Sequence, residues 1–159
     1  MFNGWLDVIA IVGLTVAAAT TGSIFRPGPF YDSLKKPSWN PPDWLFPIAW
    51  TILYAMIAFA GWLVWREAGV SVVMAVWLAQ LGCNALWSYL AFGLQRFDWA
   101  FWEVGLLWLA TALFTVLAWP ISQLASVLFM PYLAWVTFAA VLNLTIWRLN
   151  PERAAGVRS

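Results

Sequence analysis

Gln80, Asn84, Trp87 and Ser88 stand at i, i+4, i+7 and i+8 of an apolar stretch, so at about 100° per residue they share one side of a helix. Trp50, Tyr54 and Ile57 repeat the pattern earlier in the chain, and Trp135, Ala139, Leu142 and Asn143 repeat it later. Flat rings with a few amides and hydroxyls suit binding rather than bond-making: they stack on a large apolar molecule and orient it by a few hydrogen bonds. Other chemistries lack their residues. The chain contains no histidine, which removes imidazole metal sites, His-ligated haem and Ser-His or Cys-His catalysis. Cys83 is the single cysteine, so neither an internal disulfide nor a CxxC redox pair can form. A net charge of +1 gives no footprint for nucleic acid. The same side chains also fit a structural role. Gln80 and Asn84 are equally suited to interhelical hydrogen bonding, and Trp135 to packing, although an indole N–H at the centre of a helix needs a partner or a polar cavity.

The elements that must carry these residues follow from composition. With 64% hydrophobic and 9% charged residues, the chain has far less than the roughly one quarter charge of a soluble domain. Lipid must be its solvent. A bilayer core about 30 Å thick takes roughly 20 helical residues per crossing. Five apolar runs qualify, at about 5–24, 46–65, 71–94, 99–119 and 122–147. The expected fold is an all-α integral membrane bundle of five transmembrane helices, one domain over 1–159, with a long loop at about 25–45 between the first two helices. Pro120 divides the fourth run from the fifth, since proline cannot continue a helical ladder. Arg66-Glu67-Ala68-Gly69 and Gln95-Arg96-Phe97-Asp98 form the other short turns. Ala17-Ala18-Ala19 resembles a signal-peptide cleavage site, but no basic residue precedes Arg26, so the first run is expected to be a retained helix.

Charge placement sets an expected orientation. One side holds Arg66 alone, while the other holds Arg26, Lys35, Lys36, Arg96, Arg148, Arg153 and Arg158. The C-terminus and the long loop should therefore face the cytoplasm. Seven of the 14 tryptophans, Trp5, Trp44, Trp62, Trp65, Trp99, Trp119 and Trp147, lie near helix ends, where indoles favour the headgroup level. Opposite the polar face of the third helix, Ala75, Ala79, Gly82, Leu86 and Gly93 form a stripe, mostly of small residues. It suits close helix contact, within the protomer or across a homodimer.

The long loop reads FRPGPFYDSLKKPSWNPPDWL. A flexible linker would be polar and rich in glycine and serine; this one is stiffened by prolines and carries aromatics that want burial. It is expected to act as a lid over the bundle mouth, an interfacial loop anchored in headgroups being the alternative.

Three stretches, YDSLKKPSWNPPDWLFPIAWTILY at 31–54, AQLGCNALWSYLAFG at 79–93 and PYLAWVTFAAVLNLTIWR at 131–148, resemble the TspO/MBR family. These are the tryptophan-rich sensory proteins related to the mitochondrial translocator protein, or peripheral benzodiazepine receptor. The resemblance covers the lid and three helices, and KPSWNPP followed by Trp50 and PYLAW is highly specific. It implies a five-helix bundle, dimeric in bacterial members, with a pocket under the first loop for porphyrins, benzodiazepine-site ligands and, in some members, sterols. By the same resemblance the pocket positions are Trp39, Pro41, Phe46, Trp50, Tyr54, Asn84, Trp87, Ser88, Trp135 and Ala139, with Leu142 and Asn143 following on the same face. The dimer contact would use Ala75, Ala79, Gly82 and Leu86.

The function so implied is a membrane receptor or sensor for protoporphyrin IX-like tetrapyrroles and other apolar polycyclic ligands, linked to tetrapyrrole or stress signalling. No obligatory cofactor is expected, and the lack of histidine favours free protoporphyrin over haem. Two other readings are transport of porphyrin or sterol, and light-dependent porphyrin degradation. Transport usually needs an ionisable group near the midplane, for which only Asp7 and Glu103 are candidates. Degradation would rest on Trp135, and it is weakened because Phe30 stands where some members carry tryptophan; as a ligand-binding position Phe30 can still stack on a macrocycle. The animal sterol motif is likewise broken at Leu144, where a tyrosine is expected.

Overall fold

The computed structural model describes residues 4–153. Its helices are α1 (Gly4–Ile24), α2 (Pro29–Asp32), α3 (Leu45–Ala68), α4 (Val72–Ser88), α5 (Phe97–Ala118) and α6 (Gln123–Leu149), and α4 runs on into a π-helical turn at Tyr89–Gly93. Among the described residues, α1, α3, α4 with its π turn, α5 and α6 are each long and apolar enough to cross a membrane. The protein is thus a multi-pass integral membrane protein. The five spans match the apolar runs to within a few residues. The lid helix α2 and the π turn lack a periodicity signal, and Arg158 in the charge count lies outside the described residues.

Local chemistry fixes the helix ends. Ser71 and Ser122 accept hydrogen bonds from the main-chain N–H of Met74 and Ala125 at 3.4 and 3.3 Å, capping α4 and α6. Gly69, at φ 55°, ends α3 in a conformation open to glycine, its N–H donating to the Trp65 carbonyl. Beyond the π turn the chain reverses at Gln95, φ 58°. Arg96 follows, donating from Nε to Asp98 at 2.8 Å and lying over the Trp99 ring at 4.3 Å.

The helices close into a ring in the order α1, α3, α6, α5, α4, with α4 returning to α1. Side chains from α3, α4, α5 and α6 fill its interior. Close approach depends on residue size, as expected where lipid removes the hydrophobic drive between helices. The Trp77 indole lies directly on Gly61, leaving no room for a side chain there, and donates its N–H to the Ile57 carbonyl at 3.0 Å. The outward stripe differs. Ala75, Ala79, Gly82 and Leu86 are all exposed, with open space around Gly82, so they do not serve packing inside the protomer. Gly93 leaves this stripe and packs against Phe25 and Tyr89.

Candidate functional site

The aromatic side chains predicted on the second and fifth spans, α3 and α6, meet beneath the lid, whereas Trp87 of α4 lies edge-on to Phe92 of the π turn at 5.6 Å. Trp135 on α6 is the hub. Its ring centroid lies 6.4 Å from Trp50 and 6.0 Å from Phe46 on α3, and 5.7 Å from Phe138 on its own helix. Trp39 of the lid closes on Phe138 at 5.9 Å, and Trp50 continues inward to Tyr54 at 5.4 Å and Tyr132 at 6.3 Å. Most of these contacts are edge-to-face, the arrangement that ring quadrupoles favour. The rings rest on one another, so a planar ligand would enter by displacing them. A separate groove of about 530 Å³ opens between α1 and α3, lined by Ile11, Thr15, Tyr54, Ala58 and Trp62 among others. It touches the aromatic column at Tyr54.

Below the rings lies a relay of polar side chains. The Tyr54 hydroxyl donates to Asn84 Oδ1, Asn84 Nδ2 donates to the Tyr132 hydroxyl at 3.0 Å, and Tyr132 donates to Gln80 Oε1 at 3.0 Å. Gln80 and Asn84 therefore fill the interhelical hydrogen-bonding role, tying α3, α4 and α6 together across the ring. Tyr132 is fully buried at their centre. It belongs to the PYLAW stretch, but helical phase directed attention to Trp135 and left it out.

The lid is bound at several points. Tyr31 and Leu34 are buried with Ala91, Phe97, Ala100, Leu142 and Ile146, and Phe30, Phe46, Trp87 and Phe138 pack around them. The Tyr31 ring lies 5.6 Å from Phe92 of the π turn and 6.2 Å from Phe97, and its hydroxyl donates to Asn40 at 3.2 Å. Burial, helped by the Asp43 charge, pushes the Tyr31 phenol up to about 12. At the end of α6, Asn150 accepts from the Lys35 N–H and donates to the Lys35 carbonyl, both at 2.9 Å, while Arg153 donates to the Ser33 carbonyl and hydroxyl at 3.3 and 3.0 Å. The segment is thus packed and hydrogen-bonded over the bundle mouth, as a lid is.

The remaining predicted residues divide. Pro41 is half-buried in the lid, its carbonyl accepting from Asn40 at 3.0 Å. Ala139 is partly buried one turn beyond Trp135 on α6, Leu142 is buried under the lid, and Asn143 is buried at 2% exposure. Ser88 lies close to Gly22 of α1, away from the Trp135 cluster. Asp7, near the start of α1, is partly exposed, whereas Glu103 on α5 is buried and adjoins Cys83.

Comparison with known proteins agrees with this architecture. The TspO/MBR family model matches residues 8–148. Protein CrtK of Rhodobacter capsulatus is 44% identical over 92% of this chain and 94% of its own length. The tryptophan-rich sensory protein of Cereibacter sphaeroides is 40% identical over 94% of each chain, and the human translocator protein is 35% identical over 94% of this chain and 95% of its own. With the match spanning all five crossings, the chain belongs to the TspO/MBR family of membrane proteins, whose members bear the names of sensors and translocators.

Proposed function

We propose that the protein is a membrane receptor for porphyrins and similar flat apolar molecules, bound between Trp50 and Trp135 beneath the lid. The observation that carries this reading is the convergence of Trp39, Phe46, Trp50, Trp135 and Phe138, from the lid and two helices, into one connected set of rings. Ring-on-ring contact holds a macrocycle of broad apolar area, and the Tyr54–Asn84 pair at the base supplies the few polar contacts that fix orientation. Binding would exchange contacts among the rings for contacts with the ligand, a shift between closed and occupied states. Binding and signalling, rather than catalysis, is the role that uses these side chains as they stand.

The lid and the end of α6 share one end of the bundle, which the charge bias assigns to the cytoplasm. The exposed α4 stripe would form a homodimer contact. A second reading, facilitated passage of the same ligand or of a sterol, draws on relatives named translocator protein. Saturable quenching of tryptophan fluorescence by protoporphyrin IX in nanodiscs, beyond that of a ligand partitioning into empty discs, tests the receptor reading. Flux of preloaded porphyrin out of proteoliposomes separates passage from binding.

A further inference from the structure

The first span meets its neighbours along a narrow strip. Of α1 only Ile11, Thr15 and Ala18 are buried, and beside this strip lies the groove of about 530 Å³ between α1 and α3. Residue size shapes it. Val8, Val12 and Val16 recur every four residues along α1, and the small Ala55 and Ala58 set the floor on α3. The stacked rings of Phe59 and Trp62, 5.6 Å apart, continue that wall. The side-chain hydroxyls inside the groove are already committed. Thr15 donates to the Ile11 carbonyl at 2.8 Å, and Tyr54 donates to Asn84. Whatever lies along the groove must therefore be apolar.

The groove also has a length and a direction. Val8 to Ala19 covers about 17 Å of α1 at 1.5 Å per residue. A hydrocarbon core of about 30 Å allots roughly 15 Å to each leaflet, so the groove is as long as one leaflet is deep. The lid joins the end of α1 to the start of α3. Val8 and Trp62 thus mark the outer end, away from the lid, and Ala19 and Tyr54 the deep end.

A cation stands at the outer end. The Arg66 guanidinium, in the last turn of α3, lies over the Trp62 ring at 4.9 Å. No carboxylate pairs with it among the described residues. A guanidinium stacked on an indole keeps its planar fork of donors for a phosphate. The molecule these features describe has an anionic head at the depth of Arg66 and an apolar chain as long as a leaflet is deep. A sterol offers only a neutral hydroxyl to the guanidinium. A phosphodiester stays ionised at ordinary pH, and the headgroup layer presents it at this depth. We propose that the α1–α3 groove is a specific site for one phospholipid of the leaflet away from the lid, with its phosphate on Arg66 and one acyl chain laid along the groove to Tyr54. The chain ends against Tyr54, which packs on Trp50 at 5.4 Å, so the lipid backs the aromatic column. The proposal is independent of the receptor reading, and its test contains no porphyrin.

The test is native mass spectrometry of the full chain in detergent micelles titrated with palmitoyl-oleoyl phosphatidylethanolamine. One lipid per protomer should stay bound to the parent. Arg66→Gln should weaken that binding about tenfold, the size of a lost hydrogen bond to a charged group. Ala55→Phe fills the groove from an exposed position and should weaken binding by a similar factor with Arg66 intact. Arg148→Gln, which removes an exposed cation at the lid end, should match the parent. Excess palmitic acid or cholesterol should not displace the lipid. Several lipids per protomer, held equally by parent and variants, would show an unselective lipid coat and overturn the site. Loss in only one of Arg66→Gln and Ala55→Phe overturns it as well, because head and chain are held together. Displacement by palmitic acid or by cholesterol would make the groove a fatty-acid or sterol site instead. Should Ala55→Phe not fold, a dihexanoyl phosphatidylethanolamine, too short to follow the groove, takes its place. It should bind the parent about tenfold or more weakly, and binding equal to the long-chain lipid overturns the proposal.

Discussion

The side-chain amide of Asn150 pairs with the main chain of Lys35 across 115 residues of sequence, accepting from its N–H and donating to its carbonyl, each at 2.9 Å. A third bond, from Nδ2 to the Ile146 carbonyl at 2.9 Å, anchors the same amide to the last turn of α6. The lid is therefore latched to the helix that carries Trp135. Asn150→Ala removes both lid bonds, worth ~1 kcal/mol each. Amide exchange across residues 31–36 should accelerate by about tenfold or more, and bound porphyrin should dissociate faster with little change in melting temperature. Unchanged exchange would mean that the aromatic packing of Tyr31 holds the lid by itself.

The same lid has a pH signature. The Tyr31 phenol is raised from 10.0 to about 12 by burial, so the closed lid favours its neutral form. Its contribution to closure is fully present below pH 10 and is lost as the pH rises through about 12. The difference between tyrosinate absorbance titrations of the parent and of Tyr31→Phe should place this ionisation near 12. A midpoint near 10 would show a solvated ring.

Gly61 is a packing requirement rather than a flexible joint. A Cβ there would overlap the Trp77 indole, whose N–H is committed to Ile57. Gly61→Ala should cost about 1–3 kcal/mol, read as a lowered midpoint of thermal unfolding in detergent. Gly13→Ala, where a Cβ meets nothing within 4 Å, should be neutral or slightly stabilising. Equal effects of the two variants would contradict the α3–α4 contact.

Gly82 makes the opposite case. It faces outward with open space around it, so Gly82→Leu should leave the protomer fold and its melting behaviour intact. If α4 forms the homodimer contact, the added side chain should force two copies apart and shift the population to monomer. A parental dimer fraction, measured by native mass spectrometry or light scattering, would place the contact elsewhere.

The five crossings were legible because length, apolarity and charge gaps are enough to define a span. The inward faces of α3, α4 and α6 were legible because Trp50, Asn84 and Trp135 each stand in phase with further aromatic or polar residues. What lay beyond reach depended on contacts between distant segments. Asn150 reads as an ordinary helix-ending residue until Lys35 is brought beside it. Tyr132 and Trp77 look like two more aromatics in an aromatic-rich chain, and only the ring closure makes one a hydrogen-bond centre and the other the partner of Gly61. Glu103 could be singled out as an ionisable residue in a membrane helix, but its burial beside Cys83 follows from the α4–α5 contact. Ser88 was in phase with Asn84 and still lies against α1, because a helical face about 100° wide also borders its neighbours.

The central claim is that Trp50 and Trp135 grip a planar ligand beneath the lid, and one measurement addresses it most directly. Protoporphyrin IX is titrated into the parent, Trp135→Leu, Trp50→Leu and Trp119→Leu in nanodiscs, and binding is followed by quenching of the remaining tryptophans. Leucine keeps each helix apolar, and Trp119 is 48% exposed beyond the end of α5, so its replacement controls for the loss of an interfacial indole. Each stacking surface removed from the site should cost ~1 kcal/mol. The account predicts about five- to tenfold weaker binding for Trp135→Leu and Trp50→Leu, and parental affinity for Trp119→Leu. Parental affinity in all three variants, with folding intact, would contradict it.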